Sequence, residues 1–232
     1  AYRGFSLDYA HTDYDWKNVG VSPFTGAAAG SDPWSNIHEL RLGYETPRRF
    51  DRTWSTFFMG GVSSAFESEL DDSFGAYAFG AVSYRASREW FLTAGIFGNV
   101  DAVESRVIPG VAATWRSPQA PGWSASLGYP MARLSYRLHP GLAAGLGMGM
   151  RPGRAARLSD DSEVLPGGYL EDEGYHASLF LDTALSRRVE VRISTIYQFA
   201  RELTFYDGDG DERISRDVDD AFGLRLALTA RY

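Results

Sequence analysis

The final residues of the chain decide most of what it can fold into. From Phe222 onward, Phe222, Leu224, Leu226, Leu228, Ala230 and Tyr232 alternate with Gly223, Arg225, Ala227, Thr229 and Arg231. A period of two puts every large apolar group on one face of an extended strand and the small or charged groups on the other. A helix would set Leu224 and Arg225 only about 100° apart and blur the two sets. The same alternation runs through Val189–Glu202, where Val189, Val191, Ile193, Thr195, Tyr197 and Phe199 oppose Glu190, Arg192, Ser194, Gln198 and Glu202. Leu40, Leu42 and Tyr44 repeat it between Glu39, Arg41, Gly43 and Glu45.

Runs of similar length cover the rest of the chain. They span Phe5–Asp15, Trp34–Glu45, Thr53–Phe66, Ser73–Arg85, Glu89–Asp101, Arg106–Trp115, Trp123–Tyr129, Ala132–His139, Leu142–Arg154, Tyr169–Leu185, Val189–Phe205 and Ala221–Tyr232. That is about twelve strands in one all-β domain over residues 1–232, with no helical period and no linker. The connections are of two alternating kinds. Short, Arg-rich ones fall at Thr46–Thr53, Arg85–Glu89, Arg116–Gly122, His139–Gly141 and Ser186–Arg188. Longer or acidic ones fall at Lys17–Pro33, Glu67–Asp72, Asp101–Ser105, Arg154–Gly168 and Tyr206–Asp220. The alternation is consistent only if Tyr129–Met131 is a tight turn, which makes the strand number even and puts both termini at one end.

The apolar face is expected to point outward. Many runs reach ten residues, and ten residues tilted by roughly 40° cover about 25 Å, the height of an outer-membrane apolar band. The opposite face carries Gly, Ser and charges, which cannot fill a dry core. Tyr44, Trp54, Trp90, Trp115, Trp123 and Tyr232 sit at strand ends, where an interfacial aromatic girdle belongs. A chain without cysteine has no disulfides, thiol chemistry or thiolate metal sites, and a net charge of −7 argues against a nucleic-acid partner. The sequence opens at Ala1 directly into patterned residues, as a mature chain freed of its leader would, and equally as a trimmed one would.

In these features the chain resembles the bacterial outer-membrane β-barrel superfamily. The most specific element is the end, Gly223-Leu-Arg-Leu-Ala-Leu-Thr-Ala-Arg-Tyr232, because members finish on an aromatic residue after alternating hydrophobics. It departs from the pattern at Ala230, where a second large hydrophobic residue is common. The resemblance implies a single antiparallel transmembrane barrel in the outer membrane, both termini periplasmic, surrounded by lipid. It also implies that the barrel-assembly machinery reads the strand ending at Tyr232.

Three sets of residues carry candidate chemistry. Asp207, Asp209, Asp211, Arg213 (through its carbonyl) and Ser215 have the spacing of a calcium loop, with Asp217 as a further ligand. Glu212 stands where such loops need glycine, and Val218 where they need a bidentate Glu. The alternative is a solvated acidic loop. His176 and Ser178 resemble the His-x-Ser pair of outer-membrane lipid hydrolases, yet their parity places them with the polar face, so esterase activity is disfavoured. Glu39, Arg41, Glu45, Arg133, Arg137, Glu190, Arg192 and Arg225 fall on the inward faces. They line a charge-selective pore or form a network filling the interior, and the interleaving of acids and bases weighs toward the network. His11, His38 and His139 show no metal-ligand spacing.

The expectation is a porin-like, narrow passive channel for small solutes. The alternative is a barrel that docks a protein partner at its acidic outer loops or Arg-rich turns. One weak point is expected in the wall. The hairpin around Tyr129-Pro130-Met131 is short, and Pro130 cannot donate a ladder hydrogen bond. The wall should be low there, open toward lipid or covered by a partner.

Overall fold

The computed structural model describes residues 4–14, 33–119, 121–151, 153–186 and 188–231. Fourteen strands follow in order: β1 Gly4–Asp13, β2 Asn36–Arg49, β3 Trp54–Phe66, β4 Phe74–Arg85, β5 Trp90–Val100, β6 Ser105–Arg116, β7 Gly122–Tyr129, β8 Met131–His139, β9 Leu142–Arg151, β10 Ala156–Arg157, β11 Tyr169–Ala184, β12 Val189–Tyr206, β13 Glu212–Val218 and β14 Ala221–Arg231. Twelve of them, all except β10 and β13, pair antiparallel around a closed ring, and β1 against β14 completes it. Closure pairs the first and last strands of the wall, which would otherwise be free sheet edges. The expected Lys17–Pro33 loop, short of Pro33 itself, and Tyr232 lie outside the described residues.

Alternation sorts the faces as expected. Leu7, Leu42, Val62, Val107, Leu127, Leu179, Phe222 and Leu224 all point out of the ring and stay exposed. At the end of the short turns, Trp54 pairs with Tyr84 at 4.9 Å and Trp123 with Tyr136 at 5.0 Å, giving an aromatic rim. Trp115 donates its indole N–H to Glu89 at 3.2 Å in the same rim. Ser6 opposite Arg231 sets both ends of the described chain at this rim.

Two features of the long-loop end exceed what the alternation revealed. First, β11 and β12 run 16 and 18 residues, longer than the wall. The pairing slips between Glu173 and Tyr175, where Gly174 has φ 148° and the facing Ala200 has φ 48°. A Cβ on Gly174 would lie 2.9 Å from the Ala200 carbonyl oxygen, so this bulge requires glycine. Beyond it β11 leaves β9, and β12 leaves β14 for β13, so Arg201 pairs with Val218. β10 extends this second sheet, pairing with β11 on one side and with Phe66 of β3 on the other. Around the wall β3 and β11 are separated by β2, β1, β14 and β12, so the added sheet crosses the mouth. Parts of the expected acidic loop and of the Arg154–Gly168 loop are therefore strands β13 and β10.

The crossing sheet encloses a packed apolar cluster. Trp34, Ile37, Ala65, Ala156, Leu158, Val164, Leu170, Leu203 and Phe205 pack together, with Leu158 wholly buried. Fully burying one such side chain contributes about 1.5–3 kcal/mol. This is a water-excluding cap over the ring.

Second, the wall is low where the short hairpin was expected. β7 and β8 have 8 and 9 residues, and β6 pairs with β7 only from Val111 onward. Residues Ser105–Gly110 of β6 therefore rise about 15 Å above the hairpin, paired with β5 on one side and without a strand on the other. The chain leaving β9 closes the gap from above. There Arg106 donates to the Gly153 carbonyl at 3.4 Å, and the Ala155 amide donates to Asp101 at 3.4 Å. The notch is a framed window, with Tyr129, Pro130 and Met150 at its sill, where the Met150 amide donates to the Pro130 carbonyl at 3.0 Å.

Candidate functional site

The lumen is built from the inward-facing residues of the ring. On β11 the inward set is His176, Ser178, Phe180 and Asp182, since Tyr175, Leu179 and Leu181 are exposed outside. His176 and Ser178 thus face the lumen and not lipid, as their parity required. Asp182 lies opposite Arg192 of β12 and accepts from it at 2.6 and 3.0 Å, while Arg133 of β8 donates to it at 2.5 Å. Phe180 sits under both guanidinium groups, at 3.9 Å from Arg133 and 5.3 Å from Arg192. Cations held over a ring and a shared carboxylate make a fixed charged cluster on one side of the lumen.

Toward the cap, Glu39 is the hub. Arg41 lies at 3.3 Å, Arg225 at 3.7 Å and Arg154 at 3.8 Å from its carboxylate. Glu45, Arg137 and Glu190 occupy the same inward faces of β2, β8 and β12, nearer the short-turn rim. The side chains of Arg41, Arg133, Arg192 and Arg225 are 47%, 36%, 42% and 39% exposed although the wall encloses them. A dry network would bury them. The ring interior leaves room for water around these side chains.

The cap itself holds charges that the sequence did not single out. Asp172 accepts from Arg201 and Arg151, each at 3.0 Å, and both Asp172 and Arg201 are almost fully buried. Beside it Arg106 reaches behind the window to Glu171 at 2.7 Å and also contacts Glu104 and Glu173. Tyr206 donates its hydroxyl to Glu171 at 3.0 Å. Burial pushes the Glu171 carboxyl up to about 7 against the opposing pull of Arg106. The same burial, followed by the Glu171 charge, drives the Tyr206 hydroxyl well above its ordinary value. Asp182 and Asp172 were legible in part, because they share the inward parity of β11 with His176 and Ser178, whereas Arg201 has the outward parity of β12 and is turned inward by the irregularity at Ala200. Arg106 and Glu171 gave no such sign, since the cap that joins them depends on a bulge.

The six residues of the expected calcium loop lie along a hairpin. Asp207 accepts the amides of Asp209 and Asp211, both at 3.0 Å, and pairs with Arg213 at 2.5 Å. These hydrogen bonds, the Asp211 amide first, hold its carboxyl below the usual carboxylate range. Arg213 thus meets the loop through its guanidinium. Ser215 bonds Glu202 and Thr204 within the β12–β13 ladder, and Asp217 lies opposite Glu202. Among the described residues, the acidic oxygens that do converge are those of Glu104, Glu171 and Glu173, around Arg106.

Comparison with known proteins places the fold. No protein-family model matches the chain, and no curated protein does. Among solved structures, the COG4313 outer membrane channel from Pseudomonas putida F1 superposes with TM-score 0.52 at 11% identity, covering 99% of this chain and 95% of its own. A Pseudomonas aeruginosa FadL homologue follows at TM-score 0.36 and 12% identity, over 96% of this chain and 66% of that one. The β domain of the Bordetella autotransporter BrkA gives TM-score 0.37 at 13% identity, over 99% and 98%. The architecture is that of the bacterial outer-membrane β-barrels, with twelve wall strands and an outward apolar face.

Proposed function

We propose that this protein spans the bacterial outer membrane as a narrow passive channel for small solutes, its short-turn rim periplasmic and its cap outside. The observation that carries this reading is the room for water in the lumen. Charged side chains enclosed by a twelve-stranded wall keep a third to a half of their surface in solvent. A barrel that only docks a partner has no use for that space. The channel named among the similar structures supports the reading at the level of fold.

The cap restricts the route. Its apolar cluster closes the mouth along the axis, so the way past it runs beside β10 or through the window over the β7–β8 hairpin. A lateral window facing the outer leaflet would admit small solutes with apolar parts. Asp182 is the charge that sets selectivity, because it bridges Arg133 and Arg192 on the lumen wall, where this cluster would form the constriction. Asp182→Asn should leave the fold intact, since both arginines remain partly hydrated. Reversal potentials across a salt gradient should move toward the anion equilibrium potential. An unchanged reversal potential would remove this constriction from the conducting path.

A further inference from the structure

Spacing in the sequence gave the histidines no common purpose, yet the β1–β2 register sets His11 directly opposite His38. Both lie on the outer surface of the wall, at its long-loop end, beside Tyr9 and Phe66. Their Nδ1 atoms are 3.3 Å apart. The Nε2–H of His11 donates to Asp13 at 3.0 Å, and the Tyr9 hydroxyl oxygen lies 2.8 Å from Nδ1 of His38. With the His11 proton on Nε2, the Nδ1 lone pair of His11 faces Nδ1 of His38, and a cation between the two nitrogens can take the place of the single N–H···N hydrogen bond that otherwise joins them.

We propose that His11 and His38, with Asp13 behind His11, form a binding site for a divalent transition-metal ion of the zinc or copper class. The geometry fits the ion. Two imidazole nitrogens at about 2.0–2.1 Å from a tetrahedral zinc stand about 3.3 Å apart, the separation found between these two rings. Asp13 is the outer carboxylate that such histidines usually carry on the other ring nitrogen, fixing the tautomer and raising ligand basicity. Phe66 stacks on His38 at 5.4 Å and holds that ring in place. The Tyr9 oxygen and water complete the coordination. Imidazole ligands favour this class of ion over calcium or magnesium. An ion here would bridge β1 to β2 one strand from the β1–β14 closure, stapling the wall where the chain begins.

The test is calorimetry of tag-free protein folded in detergent at pH 7.5, titrated with zinc chloride in the presence of millimolar calcium as a competitor for exposed carboxylates. One zinc per chain is expected, with affinity in the micromolar range. His11→Ala and His38→Ala should each weaken binding at least tenfold, and Asp13→Asn by about 10- to 100-fold. His139→Ala and His176→Ala should leave it unchanged. Lowering the pH below about 6 should abolish it as the imidazoles take up protons. All variants change exposed or lumenal groups, and heat-modifiable gel migration reports whether each has folded. No zinc binding to folded protein at about 100 μM would overturn the proposal. So would binding that survives the His11→Ala, His38→Ala double variant.

Discussion

Replacing Asp172 by alanine is expected to unfasten the cap, lowering its stability by about 3–5 kcal/mol while the ring below stays closed. Asp172 is the shared counter-ion of Arg201 and Arg151, and Arg201 has only 5% of its side chain in solvent. Without Asp172 the Arg201 guanidinium keeps a 3.4 Å bond to the Asp219 carbonyl but no acidic partner, and a buried charge left without its counter-ion is costly. Hydrogen exchange should show lost protection across Ala155–Leu170 and Arg201–Phe205, with the wall strands unchanged. Asp172→Asn should cost less, because the amide oxygen still accepts. Equal protection in the alanine variant would mean that the apolar cluster holds the cap without the ion pairs.

Acidification should tighten the same cap. The Glu171 carboxyl is raised from 4.5 to about 7, burial being the main cause, so the folded cap binds a proton that the unfolded chain has already released. Stability then falls as pH rises from about 4.5 to 7 and is lowest above it. The groups facing Glu171 are Arg106, Glu173, Glu104, Asp101 and Tyr206. Protonation weakens the contact with Arg106, but Arg106 keeps Glu104 and Glu173 as partners. The cap should gain on the order of 3 kcal/mol between pH 8 and pH 5, read from exchange protection corrected for intrinsic rates. Glu171→Gln should erase most of that dependence. A cap that loosens on acidification would show that the Arg106 contact outweighs the cost of burial.

The wall was legible in the sequence because a barrel strand is a local pattern. The run Phe222, Leu224, Leu226, Leu228 needs only its own alternation to say which side meets lipid. Parity also placed His176, Ser178, Glu39, Arg133 and Arg192 in the lumen before any partner was known. The tight turn at Pro130 and the low wall followed from counting residues between turns, and the structure has both. The cap was not legible, since it depends on register. Leu158 and Val164 read as loop residues because their partners, Trp34 and Phe205, are remote in sequence. The sense of the β11–β12 bend rests on Gly174 and Ala200, and an alternating pattern does not distinguish a strand that ends from one that folds over. The Asp207–Ser215 spacing leaves two readings open for a related reason. An aspartate that caps its own hairpin, as Asp207 does, has the same sequence signature as one that waits for a cation. The His11–His38 pair lay beyond spacing arguments altogether, since cross-strand neighbours 27 residues apart meet only once the β1–β2 register is fixed.

The central claim is that a wet, charged lumen conducts beneath a cap that limits it. Single-channel recording in planar bilayers tests it most directly, comparing the intact protein with a variant in which residues 155–166 are replaced by a short Gly-Ser linker. That replacement removes β10 and Leu158 and leaves the twelve wall strands untouched. The account predicts small, uniform current steps from the intact protein and clearly larger steps from the uncapped variant. Silence from both, over many verified insertions of folded protein, would contradict it and leave a barrel that docks a partner without conducting.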